Sequence, residues 1–307
     1  MHILFQNIMM ALERRRIIAY IEVTLAVLAW GVSFVATKVA LQEVSPAAVV
    51  WLRFGIGVLI LGAAALFRRQ IALPARKDLG YLALLGFIGI TFHQWLQATG
   101  LKTAEATTTA WIVATTPIFM ALLGWLVLKE KLTWQQSVGI GLAAFGVILV
   151  VMRGNLSAVS HGQIGSWGDL LILLSAPNWA IFSALSRRGL KIYPATQMIF
   201  YVMGFGWLFT SVWFFAGAGL AQLDQLSIAG WAAIAFLGVF CSGLAYIFWY
   251  DALQNMPVAQ AGAFVYIEPF VTVLVAAIIL NEPLLWSSLL GGGLILAGVV
   301  LVQRAGK

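Results

Sequence analysis

The sequence predicts an all-α polytopic membrane protein: ten transmembrane helices arranged as two inverted five-helix repeats. Three observations lead there. The 307-residue chain is 62% hydrophobic and only 9% charged, far from the composition of soluble domains. Apolar runs recur along its length, each long enough at about 1.5 Å per residue to cross a hydrocarbon core roughly 30 Å thick. Finally, the second half repeats landmarks of the first at a constant spacing. Lipid offers no partner for an open backbone, so runs of this kind are helices.

Taken in order, an N-terminal segment, 1–17, places its apolar part before Arg14, Arg15 and Arg16. That order is the reverse of a signal peptide, so the segment is expected to be retained on the cytoplasmic side. The first two spans fall at 18–40 and 46–67, and Arg68, Arg69, Arg76 and Lys77 separate them from the third at 79–100 and the fourth at 106–128. Lys129 and Lys131 lead into the fifth at 133–152, closing a first repeat of 18–152. After an outer linker, 153–167, comes the least apolar span, the sixth at 168–188, which carries Asp169, Ser175, Pro177 and Asn178. The seventh at 195–217, eighth at 228–250, ninth at 258–280 and tenth at 286–303 complete a second repeat of 168–303, before a cytoplasmic tail of 304–307.

Cytoplasmic loops retain Lys and Arg. With the N-terminus inside, fourteen of the 18 basic residues fall in cytoplasmic segments; Lys102 and Arg153 fall outside, and Lys38 and Arg53 within spans. The bias supports ten spans with both termini cytoplasmic in an inner membrane. The net charge of +7 is explained by these basic loop ends facing anionic lipid, and no nucleic-acid partner is needed. Cys241 is the single cysteine and forms no internal disulfide.

The repeat is legible without a gap. TTPIFMALLGWLVLKEKLTWQQSVGIGLAAFGVILVV, from Thr115, aligns with IEPFVTVLVAAIILNEPLLWSSLLGGGLILAGVVLVQ, from Ile267, at an offset of 152 residues. Pro117 meets Pro269, Glu130 meets Glu282 and Trp134 meets Trp286; Gly139, Gly141 and Gly146 meet Gly291, Gly293 and Gly298. Each unit holds five spans, an odd number, so the second sits upside down relative to the first. Inverted repeats of this kind are an architecture of secondary transporters.

Both copies resemble the repeat of the EamA-type carriers of the drug/metabolite transporter superfamily, over the whole chain and most specifically in the proline, loop glutamate and glycine series. The resemblance implies export of amino acids or related metabolites across a bacterial inner membrane. It also implies alternating access around a cavity lined mainly by spans 1, 3, 4, 6, 8 and 9. One branch of the family exports aromatic amino acids. The second loop motif reads Asn281-Glu282-Pro283 where a glycine usually precedes the glutamate.

The glycine series permits close helix approach. Pro117 and Pro269 each lack an N–H and release the carbonyls of Val113 and Val265, which makes them candidate hinges and equally plain kinks. Polar and aromatic residues at helical spacing mark candidate substrate contacts: Trp30, Ser33 and Thr37 on span 1; Gly86, Gly89, His93 and Gln97 on span 3; Thr108, Trp111 and Thr115 on span 4. Asn178 and Trp179 on span 6, and Ser242, Tyr246 and Trp249 on span 8, complete the set. Such a cavity suits an amphipathic or aromatic solute. For Trp30, Trp111 and Trp179, cavity lining and helix packing are both open; Trp134, Trp167 and Trp286 suit the interfacial belts. His93 is open between proton carrier, ligand contact and a satisfied core histidine, and Lys38 and Arg53 are open to snorkelling.

Glu268 stands near the middle of the ninth span. A carboxylate there costs roughly 2.5–3.5 kcal/mol on insertion scales and must face protein or water. Its repeat counterpart is Thr116. Three roles compete: counter-charge for a substrate ammonium group, a proton-carrying site, or a partner for a basic residue such as Arg53. No metalloprotease, Walker A or nucleophile-elbow motif and no metal-ligand set occurs, so neither enzyme activity, cofactor nor metal is expected. The expected partners are the bilayer and a small-molecule solute. A channel, or an intramembrane enzyme, stands as the alternative.

Overall fold

The structure is a computed structural model that describes residues 2–129, 131–155, 165–217, 219–256 and 258–305. Ten helices among them are long and apolar enough to cross a membrane. They are α1 (His2–Ala40), α2 (Pro46–Phe67), α3 (Arg76–Gly100), α4a (Ala106–Val113) with α4b (Thr116–Leu128), and α5 (Trp134–Val151). In the second half follow α6 (Trp167–Leu190), α7 (Ala195–Ala216), α8 (Ile228–Asn255), α9a (Val258–Phe264) with α9b (Glu268–Ile279), and α10 (Trp286–Ala305). The N-terminal segment is helical and continuous with the first span rather than a separate piece. Pro177 does not interrupt α6, whose start is fixed by a reciprocal capping box between Ser166 and Asp169. Ten crossings place both chain ends on one side, the terminal face; the other is the distal face.

The packing is two-fold. α1 packs on α8 and α9b, and its counterpart α6 packs on α3 and α4b, while α2 meets α7 and α5 meets α10 across the pseudo-axis. At the last crossing a Cβ on Gly139 would stand 2.6 Å from the Gly298 carbonyl, and one on Gly146 2.6 Å from that of Gly291. No residue larger than glycine fits there. Gly141 and Gly293, from the same series, meet nothing within 4 Å and have no part in the crossing. Trp134, Trp167 and Trp286 each begin a helix and are 81%, 68% and 85% exposed, as interfacial residues are.

The departure from glycine in the second loop motif has a backbone reason. Lys129 and Asn281 end α4b and α9b in the left-handed region, with φ of 55° and 54°. Asparagine tolerates that conformation better than most residues. Glu130 and the stretch 156–164 lie outside the described residues.

Candidate solute-binding site

Four spans are interrupted, in two repeat-related pairs. α3 takes a π-turn at Phe87–Phe92 and α8 one at Leu237–Leu244. Such turns loosen the helical ladder and commonly mark functional positions. In both cases a side chain from the neighbouring helix reaches in: Asn178 Nδ2 donates to the Ile88 carbonyl at 2.9 Å, and Trp30 Nε1 donates to that of Cys241 at 3.1 Å. The other pair breaks at proline. Pro117 opens α4b and the Thr116 hydroxyl donates to the freed Val113 carbonyl at 2.7 Å. In the second repeat a short 3-10 turn, Val265–Ile267, precedes Pro269, and the backbone N–H of Glu268 donates to Val265.

These breaks gather two aromatic groups. Trp30 lies 5.8 Å from Tyr246 and 5.4 Å from Trp249 by ring centroids, and His93 lies 4.7 Å from Trp179, which in turn meets Phe182 at 4.9 Å. Asn178 Nδ2 also stands 3.5 Å from His93 Nδ1. Ser33 and Thr115 are buried, their hydroxyls donating to their own helices at Trp30 and Ile112. Gln97 is half-buried, without a side-chain hydrogen bond among the described residues.

Trp111 stands apart from both groups. It is 1% exposed, packed among Ile118, Ala143, Ile295 and Val299, with its ring over Gly292 and edge-on to Phe270 at 5.5 Å. Its indole N–H is buried without a partner among the described residues. Gly89 and His93 share one face, toward Phe182 and Trp179 of α6, whereas Gly86 departs from it and abuts α7 at Val202. The stripe divides where the π-turn begins, at Phe87.

Two charged side chains occupy the interior between the breaks. Glu268, beside α1 where a Cβ on Gly31 would come 3.0 Å from its carbonyl, is half-buried. Its carboxylate has no hydrogen bond or ion pair among the described residues, and the pairing with Arg53 is not made. Thr116, its counterpart, is by contrast satisfied by its own backbone. Arg53 is 7% exposed and donates through Nε to Ser242 at 3.1 Å and through Nη1 to Gln94 at 3.5 Å. Sequence periodicity missed Gln94, because α3 departs from regular helix just before it.

The site is closed on one side. At the distal face α4a packs on α9b. The Glu282 carboxylate caps α4a, accepting from the Ala106 and Thr107 amides at 2.8 and 3.0 Å. Lys38 pairs with Glu282 at 3.7 Å and donates to the Ala104 carbonyl; Arg153 pairs with Glu105 at 2.7 Å. A carboxylate at a helix N-terminus is favoured by the unpaired amides and the helix dipole. Two-fold symmetry would set α9a against α4b at the terminal face, yet α9a rests chiefly on α1 and α8, and α4b on α6 and α10. The two broken spans meet distally and part toward the terminal face.

Both halves match one family model, that of the EamA-like transporter family, at residues 17–152 and 166–304. The chain belongs to the EamA-like transporter family. Among its relatives are an uncharacterized transporter of Archaeoglobus fulgidus, 29% identical over 92% of this chain and 96% of its own, and YyaM of Bacillus subtilis, also an uncharacterized transporter, 28% identical over 88% of each. A protein of Streptantibioticus cattleyicolor described as a "probable terminal-alkyne amino-acid exporter" is 27% identical over 91% of each chain. A protein of known crystal structure shares the fold, with a TM-score of 0.62 over 95% of this chain and 97% of its own, at 19% identity. As an EamA-like protein the chain is a multi-pass membrane transporter of a small-molecule solute, and not an enzyme.

Proposed function

We propose that this EamA-like transporter exports amino acids or related amine-bearing metabolites, aromatic ones among them, across a bacterial inner membrane by alternating access. Both termini are cytoplasmic in this reading, so the closed distal face is the outer one and the site opens to the cytoplasm. The observation that carries it is Glu268. A carboxylate about eight residues, or roughly 12 Å, into its span, with no partner among the described residues, is costly unless its partner arrives and departs. An ammonium group is such a partner. Thr116, the repeat counterpart, shows that the shared backbone does not require a charge there. The aromatic rings of Trp30, Tyr246 and Trp249 supply faces for the apolar part of the solute. Likeness to a described amino-acid exporter supports the same class.

The test is counterflow in proteoliposomes with radiolabelled amino acids. A carrier gives saturable exchange; gradient-driven leak without counterflow would favour a channel instead. Glu268→Gln keeps shape and removes charge. The variant should insert normally and bind amino acids at least about tenfold more weakly, the worth of one charge-assisted contact, with little change for neutral solutes. Wild-type affinity and rate in that variant would remove Glu268 from the mechanism.

A further inference from the structure

Arg53 raises the opposite problem to Glu268. Gly57, one turn on from Arg53, brings α2 so close to α8 that a Cβ would stand 2.8 Å from Ser242. There the Arg53 side chain joins α8 to α3, at Ser242, one turn before Tyr246, and at Gln94, next to His93. It cannot snorkel: 7% exposure leaves no path to the interface for the guanidinium. No carboxylate pairs with it among the described residues. Its hydrogen bonds go to neutral oxygens, on Ser242 and Gln94, and use two of its three nitrogens. Among the described residues Nη2 has no hydrogen-bond partner, and neither does the hydroxyl of Tyr246, itself 8% exposed; the guanidinium carbon lies 5.0 Å from the Phe54 ring centroid, a face that supplies no counter-charge. A guanidinium is always charged, offers a fixed fork of donors and matches a carboxylate two-pronged. Buried without a counter-ion, it is among the costliest arrangements a membrane protein holds.

We propose that Arg53, with Tyr246, Gln94 and Ser242, forms an anion subsite that receives the carboxylate of the transported solute. The subsite draws on α2, α3 and α8, none of which carries Glu268. The inference rests on the cavity being an amino-acid site, but it concerns the carboxylate alone and holds for whatever cationic group meets Glu268. It narrows the substrate class to carboxylate-bearing solutes and excludes simple amines.

The test compares three ligands by calorimetry on the purified full-length protein in nanodiscs: phenylalanine, phenylalaninamide, which lacks the carboxylate, and phenylpropionate, which lacks the ammonium. The wild-type protein should bind phenylalanine at least about tenfold more tightly than the amide. Arg53→Gln should erase that preference while leaving affinity for the amide unchanged, and Tyr246→Phe, which keeps the ring and its packing, should reduce it several-fold. Glu268→Gln should instead erase the preference for phenylalanine over phenylpropionate. An Arg53→Gln protein that still prefers phenylalanine over the amide as the wild type does overturns the subsite. If Arg53→Gln does not fold, an unchanged preference in Tyr246→Phe overturns it. Loss of the Glu268 effect with the Arg53 effect intact overturns the ammonium reading and spares the subsite. Thermal stabilisation by chloride equal to that by phenylpropionate marks a structural ion site and overturns the proposal, as does failure of every carboxylate to bind.

Discussion

Thr116 and Glu268 occupy one place in the two repeats, and the difference between them is the clearest residue-level statement the molecule makes. The hydroxyl folds back onto the carbonyl that Pro117 frees; the carboxylate has no such outlet. That Glu268 needed an explanation was legible from hydropathy alone. That Arg53 is not its partner was not, because pairing between spans depends on how helices are rotated about their axes. Trp111 makes the same point: its spacing suited an inward stripe, yet its ring is clamped over Gly292. Trp111→Ala should therefore act through packing, costing about 3–5 kcal/mol as a truncated core aromatic does. The expected outcome is a markedly lower melting temperature in detergent, with the ratio of large-solute to small-solute transport per folded molecule unchanged. Glu43 yields a pH effect with a definite sign. Hydrogen bonds from the Ser227 hydroxyl and amide, at 2.6 and 2.8 Å, hold its carboxyl below the ordinary carboxylate range. A depressed folded value means this contact stabilises fully above the unfolded value near 4.3 and is lost as pH falls through the folded one. The protection of the Ser227 amide, its exchange rate referred to the intrinsic rate at each pH, should fall over that range, and protection that does not change with pH would refute the contact.

Among the helices, the ten spans and the repeat were readable because hydropathy and glycine spacing survive without knowledge of neighbours. The interruptions were only half readable. Prolines announce the breaks in α4 and α9, whereas nothing in FIGITF or LGVFCSGL announces a π-turn, since it arises where neighbours such as Asn178 and Trp30 satisfy the loosened backbone. The glycine series was similarly overread. Gly139, Gly146, Gly291 and Gly298 make the crossing of α5 with α10, and Gly141 and Gly293 do not. Leucine at Gly139 or Gly298 should abolish accumulation in the membrane, while leucine at Gly141 or Gly293 should leave it near wild type. Immunoblotting of membrane fractions separates the two outcomes.

For the whole molecule, the distal closure is what distinguishes the present arrangement from its mirror. Glu282 gathers α4a, Lys38 and its own loop at one point, tying the first repeat to the second. Glu282→Gln removes the charge that Lys38 pairs with and one of the two oxygens that accept from the Ala106 and Thr107 amides, and should let the distal face open more often. A reporter cysteine from Ala104→Cys, in a background where Cys241 is replaced, is buried in this state. Its reaction with an impermeant thiol reagent from outside should speed up several-fold in the Glu282→Gln protein, and an unchanged rate would show that the tie does not govern access. The same reagent tests orientation, since a cysteine placed at Ser160 should react from outside in intact cells.

The reciprocal contact of α5 with α10 has one more use. Because the two helices are images of each other across the pseudo-axis, exchanging the conformations of the two halves maps that contact onto itself. Under the proposed alternating access, Gly139 should stay against Gly298 and Gly146 against Gly291 while other helices rock. Spin labels on the lipid-facing sides of these helices should thus serve as fiducial marks, an interval expected to hold constant through the proposed cycle. Any interval from them to α4b or α9a can then be read as motion of the moving parts and not as drift of the frame.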